Sequence, residues 1–129
     1  MGFQLTARDR QRLHGVHLDL VRVVERAALT SPIRFTVLEG LRTLETQRRY
    51  MAQGKSKTLN SRHLTGHAVD LAPLEDDGDV SWHWPFYHKL AAAVKASASA
   101  AGVPLEWGGD WRNFKDGPHW QLPFKAYPK

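Results

Sequence analysis

A carboxylate in the middle of an apolar strand is the feature that most narrows what this chain can fold into. Ala68 to Ala72 reads Ala-Val-Asp-Leu-Ala, a short strand of aliphatic residues interrupted by Asp70. A carboxylate carried into a sheet with such neighbours is costly unless it is paired, hydrogen-bonded or bound to a metal. The fold must therefore bring a partner to Asp70. His63 is a candidate, because it precedes Asp70 across Gly66, a residue that can turn the chain back on itself. An imidazole and a carboxylate converging from a loop and a strand suit zinc, which accepts both nitrogen and oxygen donors. An Asp70 that only bonds nearby backbone is the other reading. His63 and His67 also share the i, i+4 spacing of the helical zinc motif H-E-x-x-H. Leu64 stands where that motif has Glu, and Gly66 and Val69 disfavour a helix, so His67 is placed outside the ligand set.

The rest of the chain alternates helical and extended patterns. Thr6 to Leu29 reads as one amphipathic helix, with Leu13, Val16, Leu20, Val23 and Ala27 on one face and Thr6 and Asp9 as a capping box. Ile33 to Leu38 reads as a strand, followed by a turn at Glu39-Gly40. Thr43 to Gln53 predicts a short helix closed by Gly54, and 55–62 is polar and irregular. Pro73 to Trp84 is a loop. Its Glu75, Asp76, Asp77 and Asp79 lack the alternating spacing of a calcium loop and read as a solvated acidic turn. Pro85 opens a further helix with Phe86, Leu90, Val94 and Ala98 as its stripe, ended by Gly102 and Pro104. Pro104 to Trp107 and Pro118 to Leu122 are two more short strands around a Gly- and Trp-rich loop, 108–117. Helices and short strands in mixed order, with no repeated βαβ unit, predict an α+β fold.

At 129 residues the chain is expected to form one domain, 1–129, with no linker or second module. The absence of cysteine excludes disulfides, thiolate metal sites and a cysteine nucleophile, and leaves seven histidines as ligands or acid–base groups. A net charge of +5 favours anionic partners without choosing among nucleic acid, lipid headgroups and wall polymer. No apolar run has the length of a membrane span, and the N-terminus lacks a signal-peptide pattern. Gly2 and Thr6 fit the loose myristoylation pattern at only a few fixed positions.

Three further residues stand out. Glu106 lies between Leu105 and Trp107, where apolar surroundings would raise a carboxyl pKa and suit a general base; a Glu at an exposed strand end is the alternative. His119, in Gly117-Pro118-His119-Trp120, is a third potential ligand or a structural imidazole, and Arg42 a site cation or an ordinary surface one. With His63 and Asp70 they supply two imidazoles, a carboxylate, a base and a cation, enough for a zinc site with an open fourth position.

The order Ser61-x-His63-x-x-Gly66-x-Ala68-x-Asp70, then Glu106-Trp107-Gly108-Gly109-Asp110-Trp111, then Asp116-x-Pro118-His119 resembles the zinc D-Ala-D-Ala carboxypeptidase and VanY/VanX superfamily. It is most similar to the L-alanyl-D-glutamate peptidase branch found among phage endolysins, which Glu39-Gly40-x-Arg42 and Gln47 also fit. The resemblance runs from about Phe35 to Leu122. It implies the compact α+β fold shared with the Hedgehog signalling domain, about three helices on a small, mainly antiparallel sheet. It further implies His63, Asp70 and His119 as ligands of one zinc ion per chain, Glu106 as the catalytic base, Arg42 as the group that steadies the substrate carbonyl, and Ser61 as a substrate-side hydrogen-bonding position.

The expected function is then hydrolysis of the L-Ala–D-Glu bond of the peptidoglycan stem by metal-activated water. A dipeptidase or carboxypeptidase cutting a D-Ala end with the same zinc site is the alternative. A non-enzymatic basic module binding nucleic acid or lipid would leave Asp70, Glu106 and His119 without a purpose. The expected partner is the stem peptide, with no nucleic acid and no stable membrane insertion, and the chain is read as a monomer. A phage lysin of this kind is made in the host cytoplasm without a signal peptide and acts on the wall after release.

Overall fold

Thr6 caps the first helix as its spacing predicts: its Oγ1 accepts the Asp9 N–H while Asp9 Oδ2 accepts the Thr6 N–H. The helix does not continue to Leu29. The computed structural model, which describes residues 2–56, 58, 61–113 and 115–128, breaks it into α1 (Ala7–Arg12) and α2 (Leu18–Thr30). Gly15 takes a left-handed φ of 86° at the break, and His17 starts α2 by accepting the Asp19 N–H at Nδ1. The His17 N–H donates to Gly66 O at 2.8 Å, so the break seats the turn that precedes Asp70. The apolar period persists across it: Leu13 and Val16 are buried with Leu20, Val23 and Ala27.

Strand β1 (Phe35–Glu39) follows, then α3 (Leu44–Ala52), capped by Thr43 and ended before Gly54 as expected. Within the polar stretch expected over 55–62, residues 57, 59 and 60 lie outside the described residues. A short 3-10 turn (Arg62–Thr65) leads into β2 (Ala68–Pro73). Helix α4 (Trp84–Ala101) has Pro85 in its first turn and Gly102 at its C-cap. Strands β3 (Glu106–Trp107) and β4 (His119–Gln121) complete an antiparallel sheet in the order β1-β2-β4-β3. Among the described residues four α-helices, one more than expected because the first is split, thus pack with a four-stranded sheet.

The two faces of the sheet do different work. Side chains alternate across a strand. Val69 and Leu71 of β2 and Trp120 of β4 join Leu20, Val23 and Val24 of α2 and Leu90 and Val94 of α4 in one core. Asp70 and His119 occupy the alternate positions and are paired across β2 and β4. The apolar neighbours of Asp70 therefore drive the strand into the core while Asp70 itself faces the other way.

Candidate active site

The cross-strand register sets two donors of the site, and a turn adds the third. His63 stands on the 3-10 turn, whose first residue is capped by Ser61 Oγ accepting the His63 N–H at 3.2 Å. Gly66, at φ 76°, reverses the chain into β2; a Cβ there would stand 2.4 Å from Gly15 O. The reversal brings His63 Nε2 to 3.1 Å from Asp70 Oδ1, and His119 Nδ1 lies 3.3 Å from the same oxygen. One donor atom from each of these three residues falls within 4.8 Å of the others. His63 and His119 are buried, and Asp70 keeps 20% of its side-chain surface open.

This donor set fits a metal ion. His63 Nδ1 is 2.8 Å from Gly40 O and His119 Nε2 is 2.8 Å from Gln121 Oε1. Each contact is made by a ring N–H donating to an oxygen, which leaves the other ring nitrogen as a lone pair facing Asp70. In those neutral tautomers, two lone pairs and a carboxylate oxygen converge, a donor set that a cation would satisfy. Donors about 2 Å from a tetrahedral zinc stand roughly 3.3 Å apart, close to the two separations from Asp70 Oδ1. The protonation preferences agree. Burial alone would raise the Asp70 pKa, but the bonds and charges of His119 and His63 hold it well below the usual carboxylate range. Burial lowers that of His119, and the Asp70 carboxylate more than reverses this. Both shifts draw positive charge to the centre of the triangle.

The triangle lies in the wall of an open cavity of about 780 Å³. Arg42 and Ser61 line the same cavity, as the sequence leads one to expect. Arg42 is heavily engaged: Nε and Nη2 donate to the two carboxylate oxygens of Glu39, and Nη1 donates to Gln47 Oε1 at 2.7 Å and Ser61 Oγ at 3.4 Å. Gln47, fully buried on α3, thus fixes the guanidinium. Glu106 is not among the cavity's lining residues. It is exposed at the start of the edge strand β3, and its Oε1 accepts a hydrogen bond from Gln121 Nε2 at 2.9 Å. Trp107 takes the buried position of that strand, so the apolar surroundings expected for Glu106 belong to its neighbour.

Asp116 is the carboxylate that does line the cavity beside the three donors. Its pKa is raised, first by desolvation and then by Asp70, against the opposing charges of His119, His63 and Arg42. Trp111, from the same 108–117 loop, packs its ring 5.1 Å from that of His119. His67 lies apart: its Nδ1 contacts Thr65 Oγ1 and its ring stacks beside His17. The signal for Asp116 was its place three residues before His119, on the loop that returns the chain to β4.

Comparison with known proteins agrees with this arrangement. A family model described as phage L-alanyl-D-glutamate peptidase matches residues 1–121. The L-alanyl-D-glutamate peptidase of Escherichia phage T5 is 30% identical over 86% of this chain and 83% of its own length. That of Listeria phage A118 is 35% identical over 74% of this chain, which spans only 32% of that longer protein. The crystal structure of the Serratia marcescens L-Ala D-Glu endopeptidase ChiX superposes with a TM-score of 0.92 at 48% identity, covering 99% of this chain and 96% of that one. With a matching family model over most of its length, the chain belongs to the phage L-alanyl-D-glutamate peptidase family.

Proposed function

We propose that this protein is a zinc endopeptidase that hydrolyses the L-Ala–D-Glu bond of peptidoglycan stem peptides. The observation that carries the reading is the convergence of His63, Asp70 and His119 in a cavity that also holds Asp116 and Arg42. His63, Asp70 and His119 would hold one zinc ion. Zinc supplies there a Lewis acid for the scissile carbonyl and acidifies water from a pKa of 15.7 to about 7.

The chain's own groups do the rest. Asp116, a carboxylate in the cavity, takes a proton from the attacking water and delivers it to the leaving amine nitrogen. Its raised proton affinity suits both halves of that task. Of the five N–H groups of Arg42, Glu39, Gln47 and Ser61 occupy four, and one on Nη2 is left for the carbonyl oxygen as charge develops there. Glu39 and Gln47 fix that guanidinium beforehand, so little reorganisation accompanies the reaction. The Ser61 hydroxyl, whose oxygen accepts from His63 N–H, keeps its proton free to donate to substrate. Glu106 acts only through Gln121, which in turn orients His119.

Mass spectrometry of purified peptidoglycan after digestion tests the reading. New L-Ala carboxyl ends are expected, and they should vanish after chelation and return with zinc. Released D-Ala or D-Ala-D-Ala, or activity indifferent to chelators, would overturn it.

A further inference from the structure

The cavity holds cations that no carboxylate approaches within ion-pair distance among the described residues. Three cations line it: Arg42, Lys55 and Arg62. Glu39 neutralises Arg42 through two hydrogen bonds. Arg62, 2% exposed, donates to the carbonyl oxygens of Leu122 and Tyr127 and lies under the Phe124 ring at 4.1 Å. It has no carboxylate partner among the described residues, and its buried Nη1 has no hydrogen-bond partner. Lys55 forms no ion pair among the described residues either. Its N–H is anchored to Tyr50 O at 2.8 Å, and its ammonium stands 5.7 Å from the Tyr50 ring centre. The Arg42 guanidinium lies over the same ring at 4.7 Å, so Lys55 occupies the part of the cavity next to Arg42.

The proposed substrate has an anion to match. The D-Glu residue after the scissile bond is joined onward through its side-chain carboxyl, which leaves its α-carboxylate free one carbon from the leaving nitrogen. Arg42 is already neutralised, and Arg62 is tied to the C-terminal backbone. We propose that Lys55 binds this α-carboxylate, and so selects stems bearing D-Glu over stems bearing its α-amide. The inference rests on the L-Ala–D-Glu reading and adds to it the group that recognises the leaving side. Lys55 is thus a specificity residue: it touches substrate but moves no proton.

The test uses two soluble stem peptides that differ only in a free α-carboxylate or an α-carboxamide on the D-Glu residue. The wild-type chain should prefer the carboxylate by on the order of tenfold in kcat/KM, mostly through KM. Lys55→Gln should lower kcat/KM for the carboxylate peptide to the level of the amide peptide and leave the amide value unchanged. Lys55→Arg should keep most of the preference. A Lys55→Gln variant that keeps the wild-type preference, or that loses activity equally on both peptides, overturns the proposal while leaving the peptidase reading intact. A wild-type chain that cuts neither peptide overturns the reading and this inference with it.

Discussion

At the scale of single residues, the geometry separates two carboxylates that the sequence makes look alike. Glu106 is flanked by Leu105 and Trp107, and Asp116 lies in a polar loop, so composition around each favours Glu106 as base, whereas Asp116 is the one that lines the cavity. Strand alternation explains the outcome. Trp107 turns into the core, which sends Glu106 to the face of His119, but its cross-strand partner is Gln121, so the carboxylate stops at Gln121. Asp116→Asn should therefore cut turnover by roughly 10²–10⁴-fold with zinc still bound. Glu106→Gln, which can still meet the Gln121 amide, should keep turnover within about tenfold, acting only through His119. Steady-state kinetics beside metal analysis of both variants reads this directly. The reverse ranking would restore Glu106 as the base. Of the three candidate metal donors, His63 and Asp70 stood out in the sequence by their spacing across Gly66, whereas His119 took its role from the resemblance to a family motif. The engagement of Arg42 by Glu39 and Gln47 was not legible there, since it depends on where α3 docks.

At the scale of elements, a second carboxylate holds the site from behind. Asp9, 2% exposed, closes the capping box of α1 and also accepts the Thr36 hydroxyl at 2.6 Å and the Val37 N–H at 2.9 Å through Oδ1. It thereby ties α1 to β1, whose end carries Glu39 toward Arg42. Burial alone would raise its pKa, but the bonds from Thr36, Val37 and Thr6 hold it below 3.8. A carboxylate with a depressed folded-state pKa contributes stability that is present above its unfolded value and lost as pH falls through the folded one. Asp9→Asn should cost about 2–4 kcal/mol at neutral pH, and the gap from wild type should narrow below pH 3.8 as the wild-type carboxyl also takes a proton. Denaturant titrations of both chains across that range would show it; a gap independent of pH would refute the account. The capping box could be read from Thr6 and Asp9, but its bonds to β1 could not, because they join residues far apart in the chain. The break at Gly15 was hidden for a similar reason. The apolar period runs straight through it, and the Gly66 turn that docks there lies far along the sequence. Gly66→Ala meets both a left-handed backbone, costing roughly 1–2 kcal/mol, and the Gly15 carbonyl. Thermal melts should show a lowered Tm and metal analysis a weakened site; an unchanged Tm would mean the turn relaxes freely.

At the scale of the whole molecule, the placement of charge becomes a statement about encounter with substrate. The net charge is +5, and Arg8, Arg26 and Arg48 are exposed, form no ion pair among the described residues and do not line the cavity. Arg12 differs: its Nη1 donates to Val37 O, so it belongs to the packing of α1 on β1. Arg10 and Arg22 are partly offset by Glu25 and Asp19. Among the described residues no helix is long and apolar enough to cross a membrane. An insoluble anionic wall attracts an unpaired surface charge over long range, which raises the encounter rate without altering the chemical step. That attraction is screened over a Debye length of about 8 Å at physiological salt. Activity on intact wall should therefore fall as salt rises to several hundred millimolar, while activity on a small soluble stem peptide should fall much less. Replacing Arg8, Arg26 and Arg48 together by Glu should lower wall activity at low salt, flatten its salt dependence, and spare the soluble peptide. If the triple variant instead followed the wild-type salt curve on wall, those arginines would serve only to solvate their helices, and the salt effect would have to come from the cavity itself.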